Sequence, residues 1–111
     1  MRELIELDCN ECNNLTTITK LNSLEILNCC YCMSLTSISN LRSLERLNCH
    51  KCNNLTSISN SPSLKELKCH YCRSLMIISN LPSLKKICYY NCNFLSDIPK
   101  KTLIDQIRKS K

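Results

Sequence analysis

Apolar residues return along this chain at a spacing of twenty. Blocks beginning at Met1, Leu21, Leu41, Ser61 and Leu81 align without a gap, and a shorter block begins at Lys101. Position four of the five full blocks is always Leu: Leu4, Leu24, Leu44, Leu64 and Leu84. Position seven is Leu7, Leu27, Leu47, Leu67 and Ile87, position fifteen is Leu in all five, and position eighteen is Ile in all five. Apolar positions seven and nine differ by two, which places both side chains on one face of a strand. Positions twelve, fifteen and eighteen then recur every three, a spacing that fits a coil turning around a core better than a helix face. Twenty residues span at most about 66–72 Å of chain, so each coil is small and leaves little room for a helix. The pattern predicts a strand at about positions six to ten of each coil, followed by extended, turn or 3₁₀ segments. The repeats are 1–20, 21–40, 41–60, 61–80 and 81–100, forming one domain over 1–111, with 101–111 a partial repeat or C-terminal cap. In that tail the repeat register puts Ile104 and Ile107 at core positions four and seven.

The shared pattern, L-x-S-L-x-x-L-x-C-x-x-C-x-x-L-x-x-I-x-x, resembles the leucine-rich repeat family over residues 1–100. It departs from that family in its short length, in Cys at position nine where Leu is usual, and in Cys in place of Asn at position twelve. The C-x-x-L-x-S-I segment is similar to repeats of plant immune receptors. The compact form L-P-S-L-K is similar to small repeat proteins of giant amoebal DNA viruses. The resemblance implies a leucine-rich-repeat solenoid, of the α/β class by family but with little or no helix. It places a parallel β-sheet on a concave face and turn, extended or 3₁₀ segments on the convex face. It also implies a role in binding proteins.

Composition sharpens this picture at two points. The chain of 111 residues has no Gly, where about 7% is ordinary usage. Phosphate loops, dinucleotide fingerprints and nucleophile elbows are thereby excluded, since each needs Gly where backbone turns sharply or approaches a ligand. The turns fall instead to Asn and Ser, which tolerate left-handed conformations next best, as in Asn13-Asn14, Asn53-Asn54 and the Ser-Asn pairs at 39–40, 59–60 and 79–80. Secondly, there are eleven Cys. Nine fall on two inward positions: Cys9, Cys29, Cys49 and Cys69 at position nine, and Cys12, Cys32, Cys52, Cys72 and Cys92 at position twelve. They read as two ladders of neutral core thiols, since free Cys behaves as a small hydrophobe. A position-twelve thiol can also donate weakly to turn backbone. Cys30 at position ten and Cys88 at position eight point outward on this reading and are the thiols open to oxidation. In the fifth block Tyr89 takes position nine, its hydroxyl reaching for solvent.

An alternative attaches to the same residues. Cys9-x2-Cys12-x16-Cys29-x2-Cys32 has zinc-site spacing, and so does the set from Cys49 to Cys72. A zinc-stabilised or thiol-redox protein would use these pairs. Against it, thiols from coils stacked at about 4.8 Å form an elongated rectangle, whereas zinc takes a tetrahedron. Disulfides between equivalent positions are opposed by their nearly parallel Cα–Cβ bonds. No metal or other cofactor is expected. An odd Cys count and a start without an apolar signal core indicate an intracellular, reducing setting. No apolar run reaches the length of a membrane span. The sequons at Asn14 and Asn54 are by-products of the repeat.

Strand alternation assigns the outward face. Position six contributes Ile26, Arg46 and Lys86, position eight Lys68, position ten His50, His70 and Tyr90, and position eleven Tyr31, Lys51 and Tyr71. Aromatic residues with Arg and Lys are enriched in binding patches, so these ten residues form the predicted partner-binding surface. His50 and His70 should lie about 5 Å apart. No catalytic residue is expected: no carboxylate recurs near the imidazoles, and a shallow sheet cannot exclude water. Net charge runs from −3 over residues 1–40 to +4 over 41–80 and +5 over 81–111. A nucleic-acid role for the basic C-terminal half is the third reading, but four Lys or Arg from Lys101 onward are a weak signal for it. No polar cap precedes the first coil, and open strand edges pair, so self-association through the N-terminal edge is expected. The function that emerges is a non-catalytic interaction module for a protein partner.

Overall fold

The computed structural model describes residues 4–110 and shows a parallel β-solenoid closed by one helix. Five strands, β1 (Glu6–Asp8), β3 (Ile26–Asn28), β5 (Arg46–Asn48), β7 (Glu66–Lys68) and β9 (Lys86–Cys88), form the first sheet in that order. Four more, β2 (Thr17–Thr19), β4 (Ser37–Ser39), β6 (Ser57–Ser59) and β8 (Ile77–Ser79), form a second parallel sheet on the return side. Neighbours pair at a constant offset of twenty, as in Leu7 with Leu27 and Ile18 with Ile38. Both sheets therefore follow directly from the gapless repeat.

Of the extended, turn or 3₁₀ segments expected there, the chain forms extended strands, and these pair into a second sheet that was not expected. Each of its strands has three residues with one inward Ile between two outward residues, mostly Thr or Ser. The first-sheet strands are also three residues long, ending at position eight rather than ten.

Leu at positions four, seven and fifteen, Ile at eighteen and Cys at nine and twelve fill a continuous interior. Leu24, Leu44, Leu64 and Leu84 are fully buried. Turns that enter and leave the sheets are closed by i+3 hydrogen bonds repeated coil by coil, such as Leu44 N–H to Leu41 C=O at 3.3 Å and Leu55 N–H to Cys52 C=O at 3.2 Å. Ser61 replaces Leu at position one. It is buried, and its hydroxyl donates to Ser59 C=O at 3.2 Å while facing Leu41 N–H at 3.4 Å, so no buried polar group is left unpaired there.

The fifth coil lacks a return strand, and its chain turns into α1 (Lys100–Lys109) after Pro99. Pro presets the helical φ and has no N–H to lose at a helix start. Leu103 and Ile107, four residues apart, are the buried face of the helix, with Ile104 only half-buried. The repeat register expected at Ile104 thus gives way to helical spacing. Arg108 and Lys109 stand in the last turn, where cations suit the helix dipole. Ser110 Oγ accepts Asn80 N–H at 3.0 Å, replacing the next-coil carbonyl that Asn60 N–H meets at Ser79. The helix end thus stands in for a sixth coil. Tyr89 belongs to this closure too: its hydroxyl donates to Ile98 C=O rather than reaching solvent. α1 is the one helix among the described residues and is neither long nor apolar enough to cross a membrane.

A candidate interaction surface at the end of the first sheet

Each coil leaves the first sheet through a corner in which position eleven has positive φ: Glu11 63°, Tyr31 62°, Lys51 58°, Tyr71 63° and Asn91 57°. A second positive-φ residue closes the opposite corner at position twenty: Lys20, Asn40, Asn60 and Asn80. Asn and Ser were expected to make the turns, and Asn does so at position twenty. Position eleven differs. Tyr, Lys and Glu occupy a left-handed conformation that costs a residue with Cβ roughly 1–2 kcal/mol.

The left-handed bend swings the position-eleven side chains into a line along the stack. Lys51 Nζ lies 5.4 Å from the Tyr31 ring centroid and 5.2 Å from that of Tyr71, a cation held between two aromatic rings. Tyr71 meets Tyr90 edge-on at 5.6 Å. Beside this line the His50 and His70 rings stack at 4.9 Å with 7° between their planes, and Tyr90 meets His70 edge-on at 6.2 Å. Six of the ten predicted surface residues are thus one connected cluster. Tyr31 and Tyr90 are exposed, and Lys51, Tyr71, His50 and His70 are half-buried.

The other four sit apart from that cluster. Arg46 and Lys86 both pair with Glu66, at 3.4 and 3.8 Å, which satisfies part of their charge along the position-six row. Lys68 is exposed and Ile26 half-buried, flanking a shallow hollow of about 220 Å³.

Position ten holds a feature the sequence reading missed. In three of the first four coils its side chain accepts the backbone N–H of position ten in the next coil. Asn10 Oδ1 takes Cys30 N–H at 2.6 Å, His50 Nδ1 takes His70 N–H at 3.0 Å, and His70 Nδ1 takes Tyr90 N–H at 2.7 Å. A usable signal was present, since Asn and His both carry an acceptor close to Cβ. With Nδ1 accepting, each imidazole is neutral and carries its proton on Nε2. Burial pushes the His50 pKa down, and the neighbouring His70 and Lys68 add to this.

This ladder corrects the placement of Cys30. It is buried rather than outward, and its thiol donates to Asn48 Oδ1 at 3.2 Å. Burial raises its pKa, so it is a poor target for oxidation. Cys88 is half-buried.

Inside, the position-twelve thiols donate to the position-nine carbonyl of the preceding coil: Cys32 to Cys9 at 3.2 Å, Cys52 to Cys29 and Cys72 to Cys49 at 3.0 Å, and Cys92 to Cys69 at 2.8 Å. Cys therefore does what a longer polar residue would do in a wider coil. Cys49 and Cys69 are held well above the usual thiol range by their hydrogen-bonded partner thiols Cys72 and Cys92, and then by burial. One residue named for the core ladder falls outside it. Cys12 is exposed, while Cys9 is half-buried and packs against the core, because no coil stacks on their outer side among the described residues. Burial still lifts Cys9 to about 11. Among the described residues, no three His, Cys, Asp or Glu side chains are grouped to hold a metal ion. Comparison with protein-family profiles, curated proteins and solved structures finds no match to this chain.

Proposed function

We propose that this protein is a non-catalytic interaction module of the leucine-rich-repeat type, binding a protein partner through the first sheet and its following corner. One observation carries the reading. Tyr31, Lys51 and Tyr71 sit at positive φ in a chain that uses Asn for the same backbone conformation elsewhere. Strain of this kind persists where the side chain is needed. The side chains so presented are aromatic and cationic and form a line with Tyr90, the composition of binding hot spots. They already pack against one another, so little rotamer freedom is lost on association.

The test is affinity capture from the native cell with the wild-type protein and a variant carrying His70→Ala, Tyr71→Ala and Tyr90→Ala. A partner held by the first and lost by the second, with circular dichroism unchanged, is the expected result. A partner retained by the variant places the interface elsewhere.

A further inference from the structure

The corner line ends at coil five beside an edge that the solenoid leaves open. In every earlier coil the N–H groups of positions nine and eleven donate to the next coil. Cys69 N–H meets Cys88 C=O at 2.8 Å, and Tyr71 N–H meets Tyr90 C=O at 2.8 Å. The equivalent groups of coil five are Tyr89 N–H and Asn91 N–H. Neither has a backbone acceptor among the described residues. They point to the side on which a sixth first-sheet strand would run. α1 touches β9 on that side but leaves a cavity of about 430 Å³ beside the edge, lined by Ile87, Tyr89, Asn91, Ser96 and Lys100 among others.

We propose that this edge and cavity take an extended acidic segment of a partner protein, added parallel to β9 as a sixth strand. The proposal rests on the interaction-module reading and deepens it by naming the partner's chemistry. Two donors two residues apart on one strand edge match alternate carbonyls of an extended chain, the basis of strand addition at sheet edges. Parallel orientation follows from the register, since every pairing in this sheet is parallel.

Charge fixes the first side chain. The position-six row alternates Arg46, Glu66, Lys86, with neighbours paired. The residue beyond Lys86 completes the alternation if it is Asp or Glu. Lys86 is 78% exposed and shares only Glu66, Lys85 and Lys100 flank the same edge, and no carboxylate lines the cavity. The residue after the acid faces inward beside Ile87 and is apolar. The next faces outward and gives its carbonyl to Tyr89 N–H. The fourth is again inward, small and apolar beside Tyr89. The segment thus reads acid, apolar, any, small apolar, and the carbonyl of the residue after that meets Asn91 N–H.

The probe is a blocked ten-residue peptide centred on Glu-Val-Ser-Val, added to the full-length protein while amide hydrogen exchange is followed by NMR. Saturable binding should slow exchange at Tyr89 and Asn91 by about tenfold, the worth of one net hydrogen bond. A peptide with Lys in place of the acid should bind about three- to tenfold more weakly, and Lys86→Glu should restore it. No binding overturns the proposal. So does binding that leaves exchange at Tyr89 and Asn91 unchanged, and shifts confined to Lys51 and Tyr71 would move the site to the corner line. Failure of the triple variant to lose its captured partner would refute the corner line and leave the exchange result untouched.

Discussion

Each of the first four coils turns twice through a left-handed residue, and the two corners meet the same demand differently. At position twenty the chain uses Asn in three of four coils, and Asn80 Nδ2 donates to Asn60 Oδ1 at 2.9 Å, tying neighbouring corners together. At position eleven it uses Glu, Tyr, Lys, Tyr and Asn. Asn reaches the left-handed region cheaply because its short polar side chain bonds locally. Tyr and Lys have no such means. The second corner mostly uses the residue that takes this conformation cheaply, and the first sets Tyr31, Lys51 and Tyr71 in a line along the stack. The first corner is in return pinned from inside by a thiol, since position twelve follows position eleven directly and holds the carbonyl of the preceding coil.

The largest effect comes from the core that both corners enclose. Leu67 is buried between β5 and β9. Leu67→Ala should cost about 2–5 kcal/mol in urea unfolding, with both sheets lost in one transition. A change that loosened one sheet alone would show that the two corners are not part of a single cooperative unit.

Next is the pin under the first corner. Cys72→Ala removes the donor 3.0 Å from Cys49 C=O and leaves that buried carbonyl unpaired. The expected loss is about 1–3 kcal/mol. Cys72→Ser keeps a donor and should cost less. Equal losses for the two variants would mean that the thiol acts by volume alone.

How far this was legible in the sequence depends on the length of each signal. The period of twenty is carried by five residues per coil and fixes the coil, the register and the inward Cys rows. The second sheet has strands of three residues with a single inward Ile, so an alternation of two leaves one mark and is masked by the spacing of three from Cys12 to Leu15 to Ile18. In the tail, Leu103 and Ile107 suit a helix while Ile104 and Ile107 suit the repeat, and ten residues are too few to decide between them. Cys30 was misplaced because a thiol was treated as only apolar or reactive. In fact it is buried and donates its proton to Asn48 Oδ1. The contact of His50, His70 and Tyr90 along one row was legible, since all three stand at position ten of successive coils. Positive φ at position eleven was not, because nothing in Tyr or Lys announces it.

A smaller effect measures the strain itself. Glu11 is exposed and makes none of the ring contacts of the later coils. Glu11→Asn should therefore stabilise the protein by roughly 0.5–1 kcal/mol, a part of the left-handed cost. Lys20→Asn at the other corner should gain about as much. Tyr71→Asn should gain less, because relief of strain is offset by loss of the Lys51 and Tyr90 contacts, each worth about 0.5–1 kcal/mol. If Glu11→Asn destabilises in thermal melts, position eleven is not strained and the contrast between the corners fails.

The smallest effect is a pH dependence seated next to the first corner and absent from the second, which has no His. His50 Nδ1 accepts His70 N–H, so protonating that nitrogen breaks a rung of the ladder. Burial holds the folded pKa of His50 below the unfolded value, with the charges of His70 and Lys68 acting in the same direction. Between the two values, the upper being about 6.5, the unfolded chain binds more protons than the native one, and stability falls as pH falls. Above about 6.5 the group contributes no slope. His50→Asn supplies an acceptor of the kind Asn10 uses for Cys30 without a titrating ring. Its unfolding free energy should match wild type at pH 7.5 and exceed it slightly at pH 5. An unchanged difference between the two pH values in this variant would show that the slope arises elsewhere. A loss of stability at pH 7.5 would show instead that position ten needs the stacked ring as well as the acceptor.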